Sequence, residues 1–155
     1  MRGAPLDVLQ RVPLFADLNK REVQKIARLF KERHFATGET VVKEGSGGAA
    51  FFIIASGQAT VFIDQKPRAS LGPGHYFGEI ALIDDGTRMA TIIAASELVC
   101  FGLTYWDFRP VIEKNGVVAW KLLQQMAKML RETREEAHEL ENALAMLKRS
   151  EPAAR

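Results

Sequence analysis

The sequence predicts a mainly β domain, a β-sandwich or jelly roll, set between helices and followed by one long helix. Three observations carry this. Between about residues 35 and 103 the chain breaks into short apolar runs punctuated by glycine-containing turns. Before them, apolar residues fall at helical spacing. After them, residues 117 to about 149 contain no proline or glycine and keep a helical pattern.

The N-terminal helical segment runs from Leu6 to about Glu32, with Val23, Ile26, Ala27 and Phe30 on one face. Asn19 is placed as an N-cap and Glu22, three residues later, completes a capping-box pattern. The candidate strands are "TVVKEG", "AFFIIASG", "ATVFID", "ASLGPG" and "ATIIAA" with "ELVCFGL". Asp64, Gln65, Lys66 and Pro67 read as a hairpin tip. Residues 78–82 interrupt this texture and read as a short helix. From Thr104 the chain is helical again, with Pro110 expected to kink the first segment or delay its start. Asn115-Gly116 separates it from the last helix.

That last segment would be roughly 50 Å long at about 1.5 Å per residue. Leu123, Met126, Leu130, Thr133, Ala137, Leu140, Leu144 and Leu147 step alternately by three and four, a heptad seam. A sustained repeat of this kind predicts helix pairing, and here a homodimer, rather than a helix lying on its own domain. Thr133 and Ala137 thin the seam at its middle. The expected organisation is a domain over residues 6–116, a pairing helix over 117–149 and a tail over 150–155.

Composition excludes several classes. The chain has 155 residues, 47% of them apolar and 26% charged, which is an ordinary globular balance. A net charge of +2 gives no reason to expect a nucleic-acid partner. Cys100 is the only cysteine, so neither an intrachain disulfide nor a cysteine-rich zinc site can form; its setting, "LVCFGL", predicts a buried strand residue. No signal peptide or membrane span is expected, and a cytoplasmic location is.

The stretch "FGEIALIDDGTRMAT", residues 77–91, holds Glu79 and Arg88 nine positions apart. The first amides of the short helix at Gly78-Glu79 would lack intrahelical partners and favour an anion. Arg88 would add a permanently charged fork for phosphate oxygens. Glu79, when ionised, only accepts hydrogen bonds, so beside a phosphate it needs a donor on the same ligand. A sugar hydroxyl is such a donor. The residues point to a compact phosphorylated sugar; the competing reading is an ordinary surface Glu–Arg pair.

The same stretch resembles the phosphate-binding cassette of the cyclic nucleotide-binding domain family, whose pattern is Phe-Gly-Glu-[Leu/Ile]-Ala-Leu followed by Pro-Arg-x-Ala-[Thr/Ser]. "PLFADLNKREVQKIARLFKERHFATGETVVKEG", "FFIIASGQATVF" and "LGPGHYFGE" are similar to the family's first helices, central hairpin and approach to the cassette. "LTYWDFRPVIEKNGVVAWKLLQQMAKML" resembles the paired helices of its bacterial cAMP receptor protein branch. The resemblance spans about residues 6 to 140. It implies a double-stranded β-helix (jelly roll) that senses a cyclic nucleotide, cAMP rather than cGMP, and is not an enzyme.

Carried over residue by residue, Glu79 would accept the ribose 2′-hydroxyl and Arg88 would pair with the cyclic phosphate. The amides of Ala81 and of Met89 or Ala90 would complete the cradle, and Gly78 would let the backbone approach the ribose. Ile80 belongs to the same cassette. Val61, Leu71 and Phe77 would line the apolar pocket, and Thr133 would reach the adenine amino group. The sequence departs from the family's pattern at Thr87, where proline is usual, and at Ala49, where aspartate is common. Met89 lacks the hydroxyl that cGMP-selective relatives often place there.

No helix-turn-helix follows within these residues, so no nucleic-acid contact is expected in this chain. A ligand-independent dimerisation module of the same fold, or a regulatory piece of a larger transcription factor, channel or enzyme, are the alternatives. "GSGG" at 45–48 lacks the Lys-Ser/Thr of a phosphate loop and reads as a turn. His34, His75 and His138 show no metal-ligand spacing.

Overall fold

The computed structural model describes residues 3–46, 50–84, 86 and 88–150. Ala49, Thr87 and tail residues 151–155 lie outside them, so the expectations placed there are not addressed by the fold. The order is α1 (Leu6–Arg11), a 3-10 turn (Pro13–Phe15), α2 (Lys20–Ala27), β1 (Lys31–Phe35), β2 (Thr40–Val42), β3 (Ala50–Ser56), β4 (Ala59–Ile63), β5 (Lys66–Leu71), β6 (Tyr76–Phe77), α3 (Ala81–Asp84), β7 (Thr91–Ala94), β8 (Leu98–Thr104), α4 (Tyr105–Glu113) and α5 (Gly116–Ser150). The strands form two four-stranded sheets, β1-β8-β3-β6 and β2-β7-β4-β5. Every pairing is antiparallel.

The run of buried residues in β3 shows why the two layers need each other. Side chains alternate across a strand. Phe51 and Ile53 join the cluster made by the helices, with Phe15, Phe30 and Phe108. Phe52 and Ile54 join the interior of the roll, with Phe35, Ile92, Leu98 and Cys100. Both faces are covered, so the strand is apolar without alternation. Gly102 on β8 makes room for the ring of its cross-strand neighbour on β3: a Cβ there would lie 3.0 Å from the Phe52 ring. Cys100 is fully buried, and burial pushes its thiol up to about 11.

Local signals explain the helices. Asn19 and Glu22 form the expected capping box, each side chain accepting the other's amide at 2.9 Å. Thr104 caps α4 by accepting the Asp107 amide, and α4 runs through Pro110 without a delayed start. Asn115 accepts the Val118 amide at the start of α5.

Two expectations need correction. The N-terminal helical segment stops at Ala27, and Lys31–Phe35 forms β1 instead. This strand is exposed over its first four residues because it is a sheet edge; charges suit an edge and erase the apolar signal. The hairpin tip is only Asp64 and Gln65, both at positive φ, while Lys66 and Pro67 begin the edge strand β5.

The long helix has two parts. Its first turns bury Val118, Leu122 and Gln125 on the domain. From Leu130 to Ser150 every residue is exposed, including Leu140, Leu144 and Leu147 of the seam. Among the described residues no helix is long and apolar enough to cross a membrane.

Lys121 near the base of α5 donates to Glu22 of α2 at 2.7 Å, tying the two ends of the domain. That bond, then the Asn19 amide, holds the Glu22 carboxylate below its usual range. A lowered pKa means stability that is present above the unfolded value and lost as pH falls through the folded one. Lys121→Ala is expected to cost about 1 kcal/mol at neutral pH. Urea unfolding as a function of pH checks it: the gap from the parent should shrink below 4.5, the ordinary value, and close once Glu22 is protonated.

Candidate functional site

The site begins where β6 ends. Phe77 pairs with Phe52 across the sheet and stacks on its ring at 5.3 Å. Gly78 then turns the chain at φ +85. A Cβ at this position would lie 2.5 Å from Arg88 Nη1 and 2.6 Å from the Ala50 carbonyl oxygen. Glycine is therefore required twice, by its φ and by the arginine lying against it.

Arg88 returns to the same place from the other end of the loop. Its amide donates to the Ser46 carbonyl at 3.0 Å, and its own carbonyl accepts from the Gly45 amide at 2.8 Å. The guanidinium Nη2 donates to the Ala50 carbonyl at 2.5 Å. Its Nε is buried without a hydrogen-bond partner, and among the described residues no carboxylate pairs with it. Burial lowers its pKa, and an arginine still keeps its charge there. A buried guanidinium nitrogen left without an acceptor is costly unless a partner completes it.

Beside Arg88 lies a cleft of about 260 Å³. Of the residues expected at the site, Phe77, Gly78, Ile80, Ala81, Arg88, Met89 and Ala90 line it. Glu79 is half-buried next to them and close enough to Tyr76 to raise that phenol's pKa, though burial is the larger cause. No described side chain or amide bonds to the Glu79 carboxylate. Val61 and Leu71 pack with Phe77 on the interior of the roll but do not line the cleft. Thr133 is not brought to it within one chain: it lies exposed on α5, its hydroxyl donating to the Met129 carbonyl at 2.9 Å.

The amide cradle differs from the expectation. The short helix is a single turn that starts at Ala81, not Gly78, and the Ala81 amide is already donated to the Gly78 carbonyl at 3.1 Å. A one-turn helix also has little dipole to offer. Among the described residues, the amides of Gly78, Glu79, Ile80, Met89 and Ala90 have no partner. Four lining residues were missed. Val42 and Ile92 are paired across β2 and β7 and supply an apolar wall, and Asp84 accepts the Gly86 amide at 3.0 Å. Their strand positions carried an apolar signal, but nothing in the order of residues aimed them at the loop.

This geometry, an arginine with an unpaired Nε over a glycine at the rim of an antiparallel roll, is chemically suited to a small anion. Comparison with known proteins narrows it. Residues 32–115, more than half of the chain, match the model of the cyclic nucleotide-binding domain. The cyclic AMP receptor protein of Thermus thermophilus is 32% identical over 77% of this chain and 58% of its own length. A cGMP-dependent protein kinase of Drosophila melanogaster is 38% identical over 58% of this chain and 10% of its own. The solved N-terminal domain of a transcriptional regulator from Streptomyces coelicolor A3(2) superposes with a TM-score of 0.75 at 30% identity, covering 83% of this chain and 96% of that one. The chain belongs to the cyclic nucleotide-binding domain family, and it spans less than two thirds of the length of these curated relatives. It is a regulatory domain of the cyclic nucleotide sensor class.

Gly78→Ala should unfold more easily than the parent by about 1–2 kcal/mol for the left-handed backbone alone. Gly38, at φ +86 with open space around it, isolates that part of the cost. Denaturant unfolding of both alanine variants should show Gly78→Ala worse than Gly38→Ala by at least about 1 kcal/mol, because the methyl also displaces Arg88.

Proposed function

We propose that this domain binds cAMP and converts binding into a change in how its C-terminal helix meets a second copy. The orphaned Nε of Arg88, held at the cleft without a carboxylate, is the observation that carries the reading. The cyclic phosphate would take the free edge of the guanidinium and the unpartnered amides nearby. Glu79 would accept the ribose 2′-hydroxyl, the one neighbouring donor that suits an ionised carboxylate. Phe77, with Val61 and Leu71 behind it, would face the apolar side of the ligand. Met89 offers no hydroxyl to a guanine amino group, which favours adenine and leaves cGMP as the weaker ligand.

The path outward runs through α3. Ala81 faces the cleft, while Leu82 and Ile83 share a groove with Phe108 and Ile112 of α4 and Leu122 and Leu123 of α5. Capture of the phosphate would draw the loop inward and repack that groove. The ligand shifts the equilibrium only by its differential affinity for the two arrangements. The exposed leucine seam beyond Leu130 favours a homodimer through α5, and Thr133, on that seam, would then meet the adenine. A ligand-independent dimerisation module is the reading that remains if cAMP does not bind.

Calorimetry with cAMP and cGMP on this chain tests the ligand. Arg88→Ala should cost about 2–5 kcal/mol of cAMP affinity. Glu79→Ala should cost about 1.5–3 kcal/mol. An Arg88→Ala variant that binds cAMP like the parent overturns the assignment. Light scattering tests the pairing: the parent should be a dimer and Leu140→Glu should shift it toward monomer, whereas a monomeric parent with and without cAMP removes the helix-pairing half of the proposal.

A further inference from the structure

Glu44 takes no part in lining the cleft, yet it joins three segments that converge behind Arg88. Its carboxylate Oε2 accepts the Asp64 amide at 3.1 Å, at the tip of the β4–β5 hairpin, where Asp64 stands at φ 52. Its own amide donates to the Thr91 hydroxyl at 2.9 Å, at the start of β7. The next two residues, Gly45 and Ser46, make the paired backbone bonds that bracket Arg88. Ser46 is itself tied back, its hydroxyl donating to the Lys43 carbonyl at 2.6 Å.

The consequence is mechanical. Among the described residues the guanidinium donates to one carbonyl, that of Ala50, so its side chain is not over-determined by those contacts. What sets its height above the cleft is the backbone at residue 88, and that backbone hangs on the turn at 45–46. Glu44 anchors the turn from one side to the hairpin tip and from the other to β7. From this we infer that Glu44 is a positioning residue for Arg88: it holds the turn that holds the arginine, and so sets phosphate affinity without touching the ligand. Thr91 is its partner in the same role.

This inference rests on the proposed binding of a cyclic phosphate at Arg88, and a double-mutant cycle separates the two. Cyclic AMP affinity is measured by NMR titration, which reaches millimolar constants, for the parent, Glu44→Gln, Glu44→Ala, Arg88→Ala and the Glu44→Ala/Arg88→Ala double variant. Circular dichroism confirms that each is folded. Glu44→Ala should weaken cAMP about three- to tenfold, the value of a lost hydrogen bond. Glu44→Gln, whose amide oxygen can still accept from Asp64, should stay within about twofold of the parent. In the Arg88→Ala background, removing Glu44 should change nothing further, because a residue acting through Arg88 has no target left. A merely structural role would instead weaken binding equally in both backgrounds, and that result overturns the inference, as does parent-like binding by Glu44→Ala. If Glu44→Ala does not fold, Thr91→Val, which removes the hydroxyl acceptor, runs the same cycle with the same expectations. If Arg88→Ala itself binds like the parent, the proposed ligand site fails first, and that outcome is read from a different variant.

Discussion

The contact between the Arg88 guanidinium and the Ala50 carbonyl, made across Gly78, is the constraint on which the site depends. It joins the end of the loop to the start of β3 and leaves part of the guanidinium buried and unpaired. Burying charge without full compensation is unfavourable. A guanidinium edge of this kind is chemically suited to an anion, which can accept charge-assisted hydrogen bonds from it. Any side chain at residue 78 would occupy the space the arginine uses. The glycine and the arginine are thus one feature of the site, not two.

The two buried clusters connect the cleft structurally to the helices. They share β3, whose alternate side chains serve one cluster and then the other. The single turn of α3 lies at their boundary: Ala81 lines the cleft and Leu82 is buried in the helical cluster. Close-packed interiors do not deform continuously; they exchange one packing for another. Any shift of α3 would therefore disturb Leu82 and its neighbours. The Glu22–Lys121 pair fixes the base of α5 to α2, while every residue of the helix from Leu130 to Ser150 is exposed.

Where a structural feature is local, it could be read in advance. The capping box at Asn19 and Glu22, the short glycine-bounded strands, the burial of Cys100 and the concentration of chemistry in residues 77–91 all depend on neighbours a few positions apart. Where the feature depends on pairing, it could not. The strand β1 carries charges because it is an edge, so its apolar pattern is missing. The two-residue β6 is too short for any period to show. Val42 and Ile92 become the cleft wall only through the register of β2 with β7. The Ala81 amide looked free because the helix was placed to begin earlier; the turn at Gly78 consumes it.

The order of residues supplies the materials: a glycine and an arginine at the two ends of one loop, an acid between them, and a leucine seam too long for a small domain to bury. These follow from residue type and spacing, which act over a few residues. Long-range packing sets where the guanidinium rests, which loop amides stay without a backbone partner, and that Thr133 lies outside the cleft of its own chain. Arg88 and Ala50 are 38 residues apart, and Glu44 and Thr91 are 47 apart. Contacts at that separation are set by strand register and packing, and a linear pattern does not encode either one directly.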